Sequence, residues 1–83
     1  MFRIIFNKKA VNFFKKLDLE DKKIIGKKLD GLQVNPELGK PLTGKLVGLW
    51  SLRVGKFRII YKLIRNELLI LILDMGQRKN IYR

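Results

Sequence analysis

Two arginines, Arg53 and Arg58, sit on either side of the stretch Val54-Gly55-Lys56-Phe57. That stretch suits a two-residue hairpin with glycine first, a type II′ turn. Folded there, Val54 pairs with Phe57, Leu52 with Ile59 and Trp50 with Tyr61 on one apolar face. Side chains alternate along a strand, so the opposite face sets Arg53 against Arg58, Ser51 against Ile60 and Leu49 against Lys62. Like charges directly opposite destabilise a sheet. An anion between them removes the conflict, and two guanidinium forks suit a phosphate. The plainer alternative is a pair of arginines on a solvated sheet face. Near the end of the chain, "GQRKNIY" places Arg78 and Tyr82 where the chain can fold back over the same face. Singly, Arg78 reads as a solvated charge and Tyr82 as an edge aromatic. Together with Arg53 and Arg58 they make a cluster of three arginines and a tyrosine.

The remaining composition narrows the chemistry. There is no cysteine and no histidine. Thiol chemistry is excluded, and so are the usual acid–base residue near neutral pH and the commonest metal ligand. No cofactor is expected. Nineteen Lys and Arg against seven Asp and Glu give a net charge of +12. Such a balance points to a polyanionic partner: nucleic acid, an acidic protein segment or anionic lipid. A merely lysine-rich proteome would raise glutamate as well, and glutamate occurs only at positions 20, 37 and 67. No run approaches the roughly 18 apolar residues of a membrane span, and the start "MFRIIFNKKA" lacks a signal-peptide pattern. A cytoplasmic protein is expected.

The elements that must position the cluster follow from the pattern. Eighty-three residues, 47% of them apolar, make one domain, residues 1–83, with a real but small core. "FRIIF" at 2–6 reads as a first strand. Asn7 suits a helix N-cap, and Ala10, Phe13, Phe14 and Leu17 then form one helical face. Lysines 8, 9, 15 and 16 take the other faces. Asp18 suits the cap of a second helix, with Glu20 and Asp21 favourable in its first turn. That helix turns Ile24, Ile25, Leu29 and Leu32 inward, shows Lys22, Lys23, Lys27 and Lys28 outward, and ends at Asn35-Pro36. "NPELGKPLTGK" is a loop. Three strands follow at about 46–54, 57–64 and 67–74. "LLILIL" is apolar on both faces, so the last strand is central, and Gly76 breaks it. The class is α+β: β-α-α-β-β-β, a mainly antiparallel sheet of about four strands with a helical hairpin on one face. No element is left to cover the other.

This order resembles the RelE/ParE superfamily of bacterial and archaeal toxins from toxin–antitoxin pairs. The resemblance rests on "KKAVNFFKKL", on "LQVNPELGKPLTGKLVGLWSLRVGKFRIIYKL" and on "LDMGQRKNIY", and spans nearly the whole chain. It implies a ribosome-dependent endoribonuclease that cuts messenger RNA in the A site, the ribose 2′-oxygen attacking the adjacent phosphate. The family's catalytic positions fall on Arg53, Arg58, Arg78 and Tyr82. One departure stands out: some RelE-type enzymes carry a further lysine, often taken as general base, where this chain has Ser51. The base role then falls to Tyr82 or to another lysine; Tyr82 can take it if its pKa, ordinarily near 10, is lowered by the arginines around it. Arg78 is a poor acid, because guanidinium stays charged. Positioning and charge stabilisation must therefore supply most of the rate.

The same resemblance implies that Lys22, Lys23, Lys27, Lys28, Lys45 and Lys56 hold ribosomal RNA or substrate phosphates. It also implies an acidic, partly disordered antitoxin as partner, in a heterodimer or heterotetramer. Two alternatives stay open: a ParE-like inhibitor of DNA gyrase, and a basic sheet domain that binds nucleic acid without chemistry. Trp50 and Phe57 point into the core in this register and are not expected to stack on bases.

Overall fold

The computed structural model describes residues 1–77. Arg78 and Tyr82 therefore lie outside the described residues. In chain order the elements are β1 (Arg3–Phe6), α1 (Lys8–Lys15), α2 (Leu19–Val34), β2 (Lys40–Pro41), β3 (Leu49–Val54), β4 (Phe57–Ile64) and β5 (Leu69–Gln77).

Both helices start where their caps dictate. The Asn7 carboxamide oxygen accepts from the Ala10 N–H at 3.0 Å, and the Asp18 carboxylate from the Asp21 N–H at 2.9 Å. Each bond satisfies one of the amides a helix leaves unpaired at its first turn. Asn35-Pro36 closes α2 as expected.

The strands form one sheet in the order β1-β5-β4-β3-β2. β1 runs parallel to β5, and the other neighbours pair antiparallel. The sheet thus has five strands rather than about four, because two residues of the expected loop, Lys40 and Pro41, pair with Ser51 and Trp50. β1 and β5 are far apart in sequence: the helices carry the chain from β1 to β2 at the opposite edge of the sheet, and it returns through β3 and β4 to pair β5 in parallel with β1. β5 is interior, flanked by β1 and β4, and this accounts for its apolar residues on both faces.

α1 packs on β5 and β1, and α2 on β1 and β3. The core joins Ala10, Ile25, Leu29 and Leu32 of the helices to Leu52, Val54, Phe57, Ile59, Tyr61, Ile70, Ile72 and Met75 of the sheet. Burying one such aliphatic side chain contributes about 1.5–3 kcal/mol. Phe13 meets Phe57 edge-on at 6.0 Å, and Trp50 stacks on Tyr61 at 6.1 Å.

Three expectations require correction. Ile24 does not face inward; it is 46% exposed. The buried stripe of α2 is Ile25, Leu29 and Leu32, at i, i+4, i+7, and Ile24 lies one residue, about 100°, off it. The last strand starts at Leu69, after a short 3-10 turn (Arg65–Glu67) and Leu68 in the left-handed region at φ 50°. Gly76 does not break that strand, which runs to Gln77 because Phe57 and Arg58 of β4 still have Gln77 and Gly76 to pair with. A bulge makes this register possible: Ile60 pairs with Asp74 and Tyr61 with Ile72, leaving Leu73 as the surplus residue.

Among the described residues, no helix is long and apolar enough to cross a membrane.

Candidate anion-binding site

The β3–β4 hairpin sets the site. Its register is Val54↔Phe57, Arg53↔Arg58, Leu52↔Ile59, Ser51↔Ile60, Trp50↔Tyr61 and Leu49↔Lys62, as the sequence predicts. Gly55 takes φ 57°, the left-handed value a type II′ turn demands at its first central position and glycine meets without strain. With the turn fixed, Leu52, Val54, Phe57, Ile59 and Tyr61 enter the core. Arg53 and Arg58 stand opposite each other on the other face.

Their surroundings differ. Arg53 is exposed, whereas Arg58 is half-buried and donates from Nη1 to the Ser51 Oγ at 2.9 Å. Ser51 is only 5% exposed. A buried serine under the guanidinium fixes the direction of the fork, which a solvated arginine would not hold. Ile60, also on this face, is 7% exposed. Across β4 on the other side, Arg58 is opposite Gly76, which has no side chain to crowd it.

β2 extends the same face beyond β3. Lys40 pairs with Ser51, so it emerges on the arginine side. A cleft of about 480 Å³ opens there, lined by Lys28, Lys40, Ser51, Arg53 and Arg58 and by the Gly39 backbone. Four cationic side chains line it, and no acidic one does among the described residues. The acids that do pair with bases lie elsewhere: Asp74 with Lys9 at 3.2 Å, Asp21 with Lys56 at 3.9 Å and Glu37 with Arg65 at 2.9 Å. A cleft lined by several cationic side chains on one sheet favours a ligand that brings negative charge.

The structure brings together Arg53, Arg58 and Lys28 of the expected residues. It does not bring the other lysines to this cleft. Lys23 and Lys27 are exposed along α2, Lys22 is half-buried, and Lys45 sits in a short 3-10 turn (Gly44–Leu46). Lys56, at the hairpin turn, lies over the Phe57 ring at 5.4 Å in addition to its pairing with Asp21. Arg78 and Tyr82 fall outside the described residues. Sequence reasoning missed Lys40, which it left in a loop.

The loop that delivers Lys40 is tied to the core by Tyr61. The Tyr61 hydroxyl donates to the Pro36 carbonyl at 2.9 Å and accepts from the Gly39 N–H at 3.0 Å. Burial raises the pKa of this hydroxyl above its ordinary 10.0; the Gly39 bond opposes that shift and the Glu37 charge adds to it. At neutral pH it is therefore a neutral group that both donates and accepts.

Comparison with known proteins bears on the same residues. The family profile described as "ParE toxin of type II toxin-antitoxin system, parDE" matches residues 4–82. Toxin RelG of Mycobacterium tuberculosis is 37% identical over 46 residues, which is 55% of this chain and 53% of RelG. The match thus spans about half the length of this curated relative. In the toxin–antitoxin complex RelBE2 from Mycobacterium tuberculosis, a chain of similar fold has a TM-score of 0.85 and 25% identity, covering 93% of this chain and 98% of that one. The intact E. coli RelBE complex gives 0.81 at 15% identity, covering 93% and 96%. The archaeal RelE–RelB complex from Pyrococcus horikoshii OT3 gives 0.76 at 24% identity, covering 95% and 97%. The likeness to the last two is one of fold.

Proposed function

Because the chain belongs to the ParE toxin family of type II toxin–antitoxin systems, we propose that it is the toxin of such a pair, acting as a ribosome-dependent endoribonuclease on messenger RNA. The observation that carries this reading is the facing pair Arg53 and Arg58 on a cationic cleft, with Arg58 aimed by Ser51. Two guanidinium groups held against each other across a ladder suit an oxyanion with several oxygens to share.

The reaction in this reading is an internal transfer. The 2′-oxygen of the ribose forms a bond to the adjacent phosphorus, and the bond from phosphorus to the 5′-oxygen breaks. The products are a 2′,3′-cyclic phosphate and a 5′-hydroxyl. The proton leaves the 2′-hydroxyl for the Tyr82 phenolate, the form that neighbouring arginines favour, and solvent on the ribosome gives one to the 5′-oxygen. Arg53 and Arg58, with Arg78, hold the charge that grows on the phosphorane-like state. The ribosome supplies the in-line geometry, so a site without histidine suffices. The lysines of α2, with Lys45 and Lys56, contribute sequence-independent and salt-sensitive attraction to RNA phosphates. The partner is an acidic antitoxin; the toxin–antitoxin complexes of similar fold support one.

The test is purified protein added to ribosomes stalled on a defined message. Cuts within the A-site codon, ending in a cyclic phosphate and lost in Arg58→Ala and Tyr82→Phe, are expected. A second reading, inhibition of DNA gyrase, is favoured by the ParE description of the matching family. Loss of supercoiling activity of purified gyrase, with messages left intact, would establish that reading instead.

A further inference from the structure

The segment between α2 and β3 has little regular structure, yet its backbone is closely specified. Asn35 Oδ1 accepts from the Glu37 N–H at 3.3 Å, and the Leu38 N–H bonds the Asn35 carbonyl at 3.0 Å. The Tyr61 hydroxyl, reaching out of the core, bonds both Pro36 and Gly39. At Gly39 the chain presses onto β3. A Cβ there would lie 2.6 Å from the Ser51 carbonyl oxygen and 2.8 Å from the Tyr61 hydroxyl. Only glycine allows that approach, and the next residue is Lys40.

The consequence is a fixed origin for one cation. Lys40 pairs with Ser51, beside the strand position that holds Arg58 by its side chain. Its side chain is exposed, lines the cleft with Arg53 and Arg58, and has no ion-pair partner among the described residues. A flexible lysine costs rotamer entropy when it binds. Anchoring its backbone removes part of the search and leaves only the side chain to order.

The geometry points to Lys40 as a further cation on the substrate phosphate, acting from β2 alongside Arg53 and Arg58, with Gly39 and Tyr61 as the positioning residues that hold its strand in register. The inference rests on the reading that this cleft takes an RNA phosphate, and it adds a group from outside the hairpin. Lys40 moves no proton in this role. It stabilises charge on a non-bridging oxygen as the bond from the 2′-oxygen forms.

The experiment measures single-turnover cleavage on programmed ribosomes for the full chain and for Lys40→Ala, Lys40→Arg and Arg58→Ala, at several salt concentrations. Lys40→Ala is expected to cut about 10²-fold more slowly. Its dependence of log rate on log salt should be shallower by about one phosphate contact. Its Tm should match the parent, because the side chain is exposed, and Lys40→Arg should retain most of the rate. A Lys40→Ala protein with parental rate and parental salt slope, beside an impaired Arg58→Ala, overturns the inference and leaves the nuclease reading intact. An unmodified chain that cuts no programmed ribosome overturns both. A Lys40→Ala protein whose lost rate tracks a lowered Tm also overturns it, since the residue would then be structural.

Discussion

The two faces of the β3–β4 ladder are built from alternate residues of the same strands and solve opposite problems. On the inner face, Leu52 meets Ile59 and Trp50 meets Tyr61, and every pair gains from burial against the helices. On the outer face, Arg53 meets Arg58, a pairing that works against the sheet. The inner face must therefore hold the hairpin together firmly enough for the outer face to be kept in tension. Stability and chemistry are separated by the strand's two-residue period, so a change at one position should move one property and spare the other.

The largest expected effect is on the inner face. Ile59→Ala removes a fully buried side chain and should cost about 2–5 kcal/mol in urea unfolding, with cleavage falling only as the folded fraction falls. On the outer face, Arg58→Ala should lower single-turnover cleavage about 10²–10³-fold. Its unfolding free energy should shift by about 1 kcal/mol at most, because a lost hydrogen bond to Ser51 and a relieved repulsion oppose each other. If Arg58→Ala unfolds as readily as Ile59→Ala, the division between the faces fails.

Tyr61 is the test of the boundary, since its ring is inside and its hydroxyl serves the outer loop. Tyr61→Phe should cost about 1–3 kcal/mol through the unpaired Gly39 N–H and Pro36 carbonyl. The pH dependence has a definite sign. Folding raises this pKa above 10.0, so the folded state keeps the proton longer than the unfolded chain. The associated stability is intact below pH 10 and is lost as pH rises through the folded value. Above pH 10 the parent should therefore converge on Tyr61→Phe when the two are unfolded side by side. The smallest effect has the most informative sign. Arg53→Ala should stabilise the fold by about 0.2–1 kcal/mol while slowing cleavage, and a fall in Tm would mean that the facing arginines are not in conflict.

The hairpin and its facing arginines were legible in the sequence because a glycine-first turn and strict alternation fix a register between them. The helices were legible from Asn7, Asp18 and Asn35-Pro36, each of which has a local physical reason to start or stop a helix. Where local signals ran out, so did the reading. Lys40 and Pro41 carry no strand pattern, and their pairing with Ser51 and Trp50 comes from a tertiary tie to Tyr61. The only local trace is Gly39, whose need for a close approach appears once Ser51 lies beneath it. "LLILIL" is apolar on both faces, so nothing in it announces where the ladder changes phase. Ile24 and Ile25 are neighbours of equal hydrophobicity, and only packing chooses between them.

The surplus Leu73 acts as a phase adjuster. In an unbroken ladder Asp74 would lie opposite Ile59, a carboxylate driven into the core, and Met75 would stand where Gly76 now leaves Arg58 uncrowded. One extra residue shifts the rest of β5 by half a pleat, exiling the acid and giving the guanidinium its space. Deleting Leu73 alone would leave Ile60↔Asp74 and Tyr61↔Ile72 as consecutive pairs of a regular ladder, so the interior and the cationic cleft would both keep their partners.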